Sequence, residues 1–339
     1  MLLNLLKKIW KNNIILFYDL KDKGENMYSN ICEFLGIKYP ILQGAMAWIS
    51  DAELVSAVSN AGGLGVLATG HLNGEDCRSE IRKIKELTNK PFAVNIMLLS
   101  KFVDDIVKVI CEEKVPVVTT GAGSPLKYME KLKESNVKVI PVVPSVAMAK
   151  KFVKDGADMV IAEGMESGGH IGKTTTMALI PQIVDAVNVP VIAAGGIADG
   201  RGIAAAKMLG ASGFQIGTRF LVAKECNIHQ NYKNKILKAK DIDTTTTGHS
   251  TGHPVRVLKN KLSRKFELLE KNNASQEELD IIGRGALKKA VIEGDMDNGS
   301  IMSGQIAGLI TKEQTAKEII EEMYDEYKRI ISDISQLKI

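Results

Sequence analysis

The chain has few cysteines and no cysteine pair. Cys32, Cys77, Cys111 and Cys226 lie far apart and form no C-x-x-C. This excludes a disulfide framework and a structural zinc site, and makes a reducing cytoplasm the expected compartment. No uninterrupted apolar run reaches about 18 residues, so no transmembrane helix and no membrane partner are expected. Neither sign of charge dominates: 44 Lys and Arg stand against 40 Asp and Glu, a net +4. Nucleic-acid binding, which needs a concentrated basic surface, is not expected. Gly62-Gly63-Leu64-Gly65 lacks the G-x-G-x-x-G spacing, so no separate dinucleotide-binding domain is expected.

What remains is an ordinary globular composition. The 339 residues are 45% hydrophobic and 25% charged, too long for one small domain and too short for three. Residues 1–26 read differently from the rest. Lys7, Lys8 and Lys11 interrupt the apolar residues instead of preceding them, and no small-residue cleavage site follows, so a secretory signal does not fit. A peripheral amphipathic anchor is one reading. We prefer another: an extension ahead of a true start at Met27. Lys23-Gly24-Glu25-Asn26 can be encoded by AAA-GGA-GAA-AAT, a purine-rich stretch that resembles a bacterial ribosome-binding site. Mass spectrometry of the natively expressed protein tests this, and an intact Met1 terminus overturns it.

From Tyr39 to Phe220, short apolar runs alternate with amphipathic stretches. Eight runs are strand-like: Pro40–Gln43, Gly65–Ala68, Phe92–Met97, Val115–Thr119, Val137–Val143, Met159–Ala162, Val189–Ala194 and Gly213–Gly217. Each is apolar on both faces, as in a parallel sheet covered on both sides. Eight strand–helix units predict an α/β fold, a TIM (β/α)8 barrel, over residues 31–222. A doubly wound sheet is the rival, but glycine-rich turns follow several strands here. Residues 223–311 read as a smaller helical lid or substrate subdomain, with helix-like stretches at Val255–Lys271 and Glu277–Glu293. Residues 312–339 read as a C-terminal helix packing on the barrel.

The sharpest signal is Ala194-Gly195-Gly196-Ile197, followed some twenty residues later by Gln215-Ile216-Gly217-Thr218. Both end strands that neighbour each other in a barrel. Gly195, Gly196, Gly217 and Thr218 there predict a phosphate cradle, helped by a short helix N-terminus. Flavin mononucleotide, nucleotides and sugar phosphates all suit such a cradle. The sixth strand ends in Glu163-Gly164-Met165-Glu166-Ser167-Gly168-Gly169-His170. A strand-end His among glycines is a candidate general acid or hydrogen-bond donor. His71 and His229 read as surface-loop residues. His249 and His253 carry Gly252 between them, which argues against a helical metal site, and no metal ligand set is assigned. Asn95, a polar residue inside the third strand, is either a structural hydrogen-bond partner or an amide for a ring edge.

Together, Gln43–Trp48, Ala61–Gly65, Val94–Met97, Glu163–Gly172, Ala194–Gly200 and Gln215–Phe220 resemble the flavin-dependent nitronate monooxygenase and enoyl reductase superfamily. Pro91–Ser100, Thr119–Gly123, Ile140–Ala147, Asp241–Thr245 and Gly299–Leu309 extend the resemblance to its bacterial enoyl-acyl-carrier-protein reductase II family. It runs from about Ile31 to the end. It implies FMN as cofactor, NADH or NADPH as co-substrate, and reduction of a trans-2-enoyl thioester on acyl carrier protein in fatty-acid elongation. On this chain it puts Gly44, Ala45, Met46 and Asn95 by the flavin ring. Glu163 and Gly169 approach from the sixth strand, Gln215 lies by ring or ribitol, and the four cradle residues hold the phosphate. His170 becomes the principal catalytic residue. Many nitronate monooxygenases have Gln where this chain has Glu163; a carboxylate there disfavours an anionic reduced flavin, and a monovalent cation is one partner for it. The resemblance is also compatible with a homodimer. An acidic carrier protein calls for a basic docking patch, for which Arg256, Lys259, Lys261, Arg264 and Lys265 are the candidates.

Three rivals stand. Nitronate monooxygenase uses the same barrel and FMN with O2. An IMP-dehydrogenase-like barrel needs a central nucleophilic Cys, and none lies between Cys111 and Cys226. A non-catalytic flavin- or carrier-protein-binding module would show no turnover with any electron donor.

Overall fold

The computed structural model describes residues 31–336, so the extension read over 1–26 lies outside the described residues. Strands β1 (Ile41–Gln43), β2 (Gly65–Ala68), β3 (Phe92–Met97), β4 (Val117–Gly121), β5 (Lys138–Val143) and β6 (Val160–Glu163) come first. They are followed by β7 (Gly169–His170), β8 (Val191–Ala194), β9 (Gly213–Ile216), β10 (Thr244–Thr247) and β11 (Val255–Leu258). All but β7, β10 and β11 form one parallel sheet in the order β1-β9-β8-β6-β5-β4-β3-β2. A parallel bridge between Leu42 and Leu64 joins its ends, with Gln43 N donating to Leu64 O at 2.9 Å. The sheet is thus the expected TIM barrel, with a helix in every interval between barrel strands.

Alternation along the strands fixes what faces inward. Leu42, Val66, Ala93, Val117, Ile140, Ile161, Ile192 and Ala194 fill the barrel interior. The intervening Val94, Ile96, Val118, Val160, Ala162 and Ala193 pack beneath the helices. Continued two residues further, the same period turns Asn95, Thr119, Glu163 and Gln215 inward at the C-terminal end. The surrounding helices start where short polar residues cap them: Asp51, Asn73, Ser145 and Asp199 each accept from a first-turn amide. The last helix, Ala316–Gln336, lays Ile319, Ile320 and Met323 into the outer core.

Beyond residue 222 the structure departs from the sequence reading. Val255–Lys271 is not one helix. Val255–Leu258 is β11, antiparallel to the threonine run of β10 and, on its other edge, to β7. The helix starts at Lys261, behind an Asn260–Ser263 capping box. Four alternating residues are too few to reveal their period, and a strand forms because two partners are at hand. Glu277–Glu293 also divides, at Gly285 (φ +72°). His229 is no idle loop residue: its ring accepts from Asn231 N at 3.1 Å and caps helix Gln230–Leu237. Among the described residues no helix is long and apolar enough to cross a membrane.

Candidate active site

The C-terminal ends of the barrel strands gather most of the residues singled out in the sequence. After β1 the chain is set by Gln43, whose amide donates to Ser50 Oγ at 2.8 Å while its oxygen accepts from Val66 N at 3.1 Å. Gly44 follows, with Gln215 side-chain atoms 3.4 Å from where a Cβ would stand. Ala45 packs with the barrel interior and Met46 with the outer core. Asn95 donates to Thr119 Oγ1 at 2.8 Å, which is the structural reading of that residue. Its amide oxygen remains for a ring edge. Thr119, which opens the Thr119–Gly123 stretch of the resemblance, is Asn95's register partner on β4.

Glu163, Ala194 and Gln215 form a row across β6, β8 and β9. Burial pushes the Glu163 carboxyl up to about 7, and the nearby Ser167 side chain pulls the other way. A carboxyl raised in the folded state stabilises the fold fully below its ordinary value near 4.5, and this stabilisation is lost as pH rises through about 7. Glu163→Gln should therefore unfold with a flatter pH dependence between about pH 5 and 8, gaining up to about 3 kcal/mol at the alkaline end. Denaturant unfolding across that range measures it; parallel curves for the two proteins would overturn the assignment.

The loop after β6 is braced from three sides. Glu166 accepts from Thr176 N and Thr176 Oγ1 at 2.9 Å, and Thr176 Oγ1 also reaches Gly195 O at 3.0 Å. Arg256 Nε donates to Met165 O at 3.1 Å and its Nη1 to Thr244 Oγ1 at 3.3 Å. Gly168 abuts the distal loop so closely that a Cβ would stand 2.7 Å from Gly304 N and Ser303 C. Only then does the chain enter β7, where Gly169 pairs with Arg256 and His170 with Val255. His170 is exposed at the rim. Desolvation of its ring, and then the like charge of His253, lower its pKa below the ordinary 6.5. At neutral pH the imidazole is uncharged and offers one N–H, a hydrogen-bond donor rather than a proton source.

The residues expected to form a phosphate cradle adjoin this loop. Gly195 and Gly196 are left-handed (φ +88° and +74°), and at Gly217 no atom lies within 4 Å of a would-be Cβ. Ser167 N stands 3.3 Å from a would-be Cβ on Gly195, and the buried Ser167 hydroxyl faces the Glu163 carboxyl. Thr218 Oγ1 accepts from Gly304 N at 2.9 Å, which leaves its proton to donate. Open space over Gly217 and a free Thr218 hydroxyl proton fit a phosphate monoester. The helix N-terminus expected to assist does not. Its first amides are taken by Asp199, and Gly200 N donates to Glu326 Oε2 at 2.7 Å. The nearby Glu166 carboxylate, 3.6 Å from a would-be Cβ on Gly196, is offset by the Thr176 amide and by the Arg256 charge.

The basic patch is smaller than expected. Arg256 is buried in the brace just described, Lys259 donates to Ile242 O at 2.7 Å, and Lys261 pairs with Asp297 at 2.6 Å. Arg264 and Lys265 remain exposed on the helix. Nor is His71 a simple surface residue: it is half-buried and stacks on Trp48. No group of three or more ligating side chains suited to a metal occurs among the described residues.

Comparison with known proteins follows the same lines. A family model described as nitronate monooxygenase matches residues 28–109 and 101–326. FabK from Thermotoga maritima is 49% identical over 90% of this chain and 97% of its own, with a TM-score of 0.88. A nitroalkane oxidase from Streptomyces ansochromogenes is 26% identical over 90% of this chain and 99% of its own, with a TM-score of 0.81. A probable nitronate monooxygenase of Staphylococcus saprophyticus is 32% identical over 90% of this chain and 99% of its own length. A (3aS,4S,5R,7aS)-5-hydroxy-7a-methyl-1-oxo-octahydro-1H-indene-4-carboxyl-CoA dehydrogenase of Rhodococcus jostii is 33% identical over 88% of this chain and 96% of its own. With its barrel, its strand-end site and a family match spanning nearly the whole described chain, the protein belongs to the nitronate monooxygenase family of oxidoreductases.

Proposed function

We propose that the chain is an FMN-dependent NAD(P)H enoyl-acyl-carrier-protein reductase that converts trans-2-enoyl thioesters to acyl thioesters. The observation that carries this reading is the placement of His170. A lid sheet holds it at the rim of a barrel mouth whose floor is Gly44, Asn95, Glu163 and Gln215. The likeness to FabK, at 49% identity against 26% for the nitroalkane oxidase, favours this reading over nitronate oxidation.

Gly195, Gly196, Gly217 and Thr218 would hold the FMN phosphate. Gly44, Ala45, Asn95 and Gln215 would flank the ring. Bound FMN supplies hydride transfer between NAD(P)H and the enoyl β-carbon. His170 would donate its N–H to the thioester oxygen, where negative charge develops, and this lowers the barrier. Glu163, with a carboxyl raised to about 7, would hold a proton part of the time at neutral pH and so limit the negative charge at the floor of the mouth. The loop at Met302–Gln305 closes against Gly168 and Thr218 and keeps water from that side of the mouth. Arg264 and Lys265 would meet an acidic carrier protein.

The test is anaerobic NAD(P)H oxidation by the purified yellow protein, with and without a crotonyl thioester. Thioester-dependent turnover is expected. Its absence, with oxygen uptake on an alkyl nitronate, would establish the second reading, nitronate monooxygenase, which the family match and the staphylococcal relative favour.

A further inference from the structure

Trp48 lies four residues beyond Gly44 in a conformation that bulky side chains rarely adopt, φ +66°. Such strain persists where the surroundings hold it, often at binding sites. Its ring is 37% exposed for the residue as a whole and is held between two groups. The His71 ring stacks on it with centroids 4.3 Å apart and planes 28° apart. Lys288 Nζ lies 5.2 Å from its centroid, a cation–π contact.

Lys288 belongs to the segment that closes the other edge of the mouth. Ala286 O accepts from Ser300 N at 2.9 Å. Two residues on, Met302 Sδ lies 3.5 Å from a would-be Cβ on Gly169, and Gly304 N donates to Thr218. The Trp48–Lys288 contact therefore spans the rim from the β1 loop to the lid. Lys288 is exposed, and among the described residues it forms no ion pair. Arg284 and Lys289, also exposed, flank it in the chain, and Lys289 lies near Asp295.

The two sides of the rim carry opposite charge. Beside Trp48 and His71 lies a cavity of about 490 Å³ lined by Asp51, Glu53, Asp76 and Glu80, with Lys83 as the lone cation of its lining. An anionic group is repelled from that cavity and drawn to the Lys288 side. A long ligand whose reactive end occupies the mouth and whose tail crosses this rim would meet Lys288 rather than the acidic cavity.

We propose that Lys288, steadied over the Trp48 ring, receives the phosphate ester of a long substrate whose reactive end occupies the barrel mouth. The inference rests on the reductase reading, in which two substrates carry such a group: the phosphopantetheine arm of the thioester and the pyrophosphate of the dinucleotide. Lys288 then sets affinity and specificity at the far end of the substrate and takes no part in the chemistry.

Trp10→Phe leaves Trp48 as the sole tryptophan, so its emission reports on the rim. The flavin-loaded variant is titrated with coenzyme A, with NAD+ and with pantetheine, which lacks phosphate. A saturable change with coenzyme A or NAD+, weakened about tenfold by Lys288→Glu and restored by Lys288→Arg, is expected. A response to coenzyme A alone assigns the thioester arm; a response to NAD+ alone assigns the dinucleotide. An equal response to pantetheine, no response at all, or one that Lys288→Glu leaves unchanged overturns the proposal. Thermal unfolding of each variant shows whether it folds. A protein that binds coenzyme A through Lys288 yet fails to reduce a crotonyl thioester breaks the reductase reading and leaves this one standing.

Discussion

Replacing His170 by Ala should lower thioester-dependent turnover by about 10²–10³-fold while the protein stays yellow and folded, the size of effect seen when one oxyanion donor is removed. The side chain is exposed at the rim and its backbone is held by Val255, so no core is disturbed. His170→Gln, which keeps an N–H donor without a titrating group, should recover part of the loss. The pH profile separates the two roles open to this residue. The depressed pKa keeps the imidazole neutral at pH 7, and because imidazole and imidazolium both carry an N–H, a donor role gives activity that is flat through neutrality. Activity that instead declines as pH rises through neutrality would show that the imidazolium is required. Wild-type turnover in His170→Ala would remove the residue from the mechanism.

Gly195→Ala should produce a colourless protein. The position is left-handed, at φ +88°, and a Cβ would stand 2.8 Å from Gly164 O, a backbone atom that the brace around Glu166 keeps in place. Strain of about 1–3 kcal/mol follows from the dihedral alone, enough to lower Tm by several degrees. Flavin affinity should fall by on the order of 100-fold, because the loop must move away from the phosphate to relieve the clash. Gly217→Ala is the control. Its φ is ordinary, −107°, and a Cβ there meets nothing within 4 Å. It should unfold like the wild type yet bind flavin more weakly, since the methyl fills the space assigned to the phosphate. Unchanged flavin affinity in Gly217→Ala would move the cradle elsewhere.

The barrel was legible because its strands are buried on both faces. A run such as Val191–Ala194 reads as a covered strand without reference to its neighbours, and eight such runs at regular spacing leave few alternatives. The strand-end residues were legible for the same reason. Once β6 is placed, alternation puts Glu163 inward at its end, and Gly195-Gly196 and Gly217-Thr218 fall on adjacent loops.

The lid was not legible in this way. Val255–Leu258 is a strand only because Thr244–Thr247 and Gly169–His170 lie on its two edges, and these partners are distant in the chain. Arg256, read as part of a basic surface, is buried because its register opposite Gly169 carries it under the loop after β6. The amides before helix 200–208 looked free for a phosphate until Asp199 and Glu326, the latter from the final helix, satisfied them.

By itself, then, the sequence determined the barrel and which residues stand at the C-terminal ends of its strands. These follow from local periodicity and from glycines whose spacing is visible along the chain. Only the tertiary structure decided how His170 is held, which cations are free to meet a partner, and that Lys288 lies over Trp48. Each of these depends on pairing between segments far apart in the chain, where the preference of any single segment is weak and the partner's position settles the outcome.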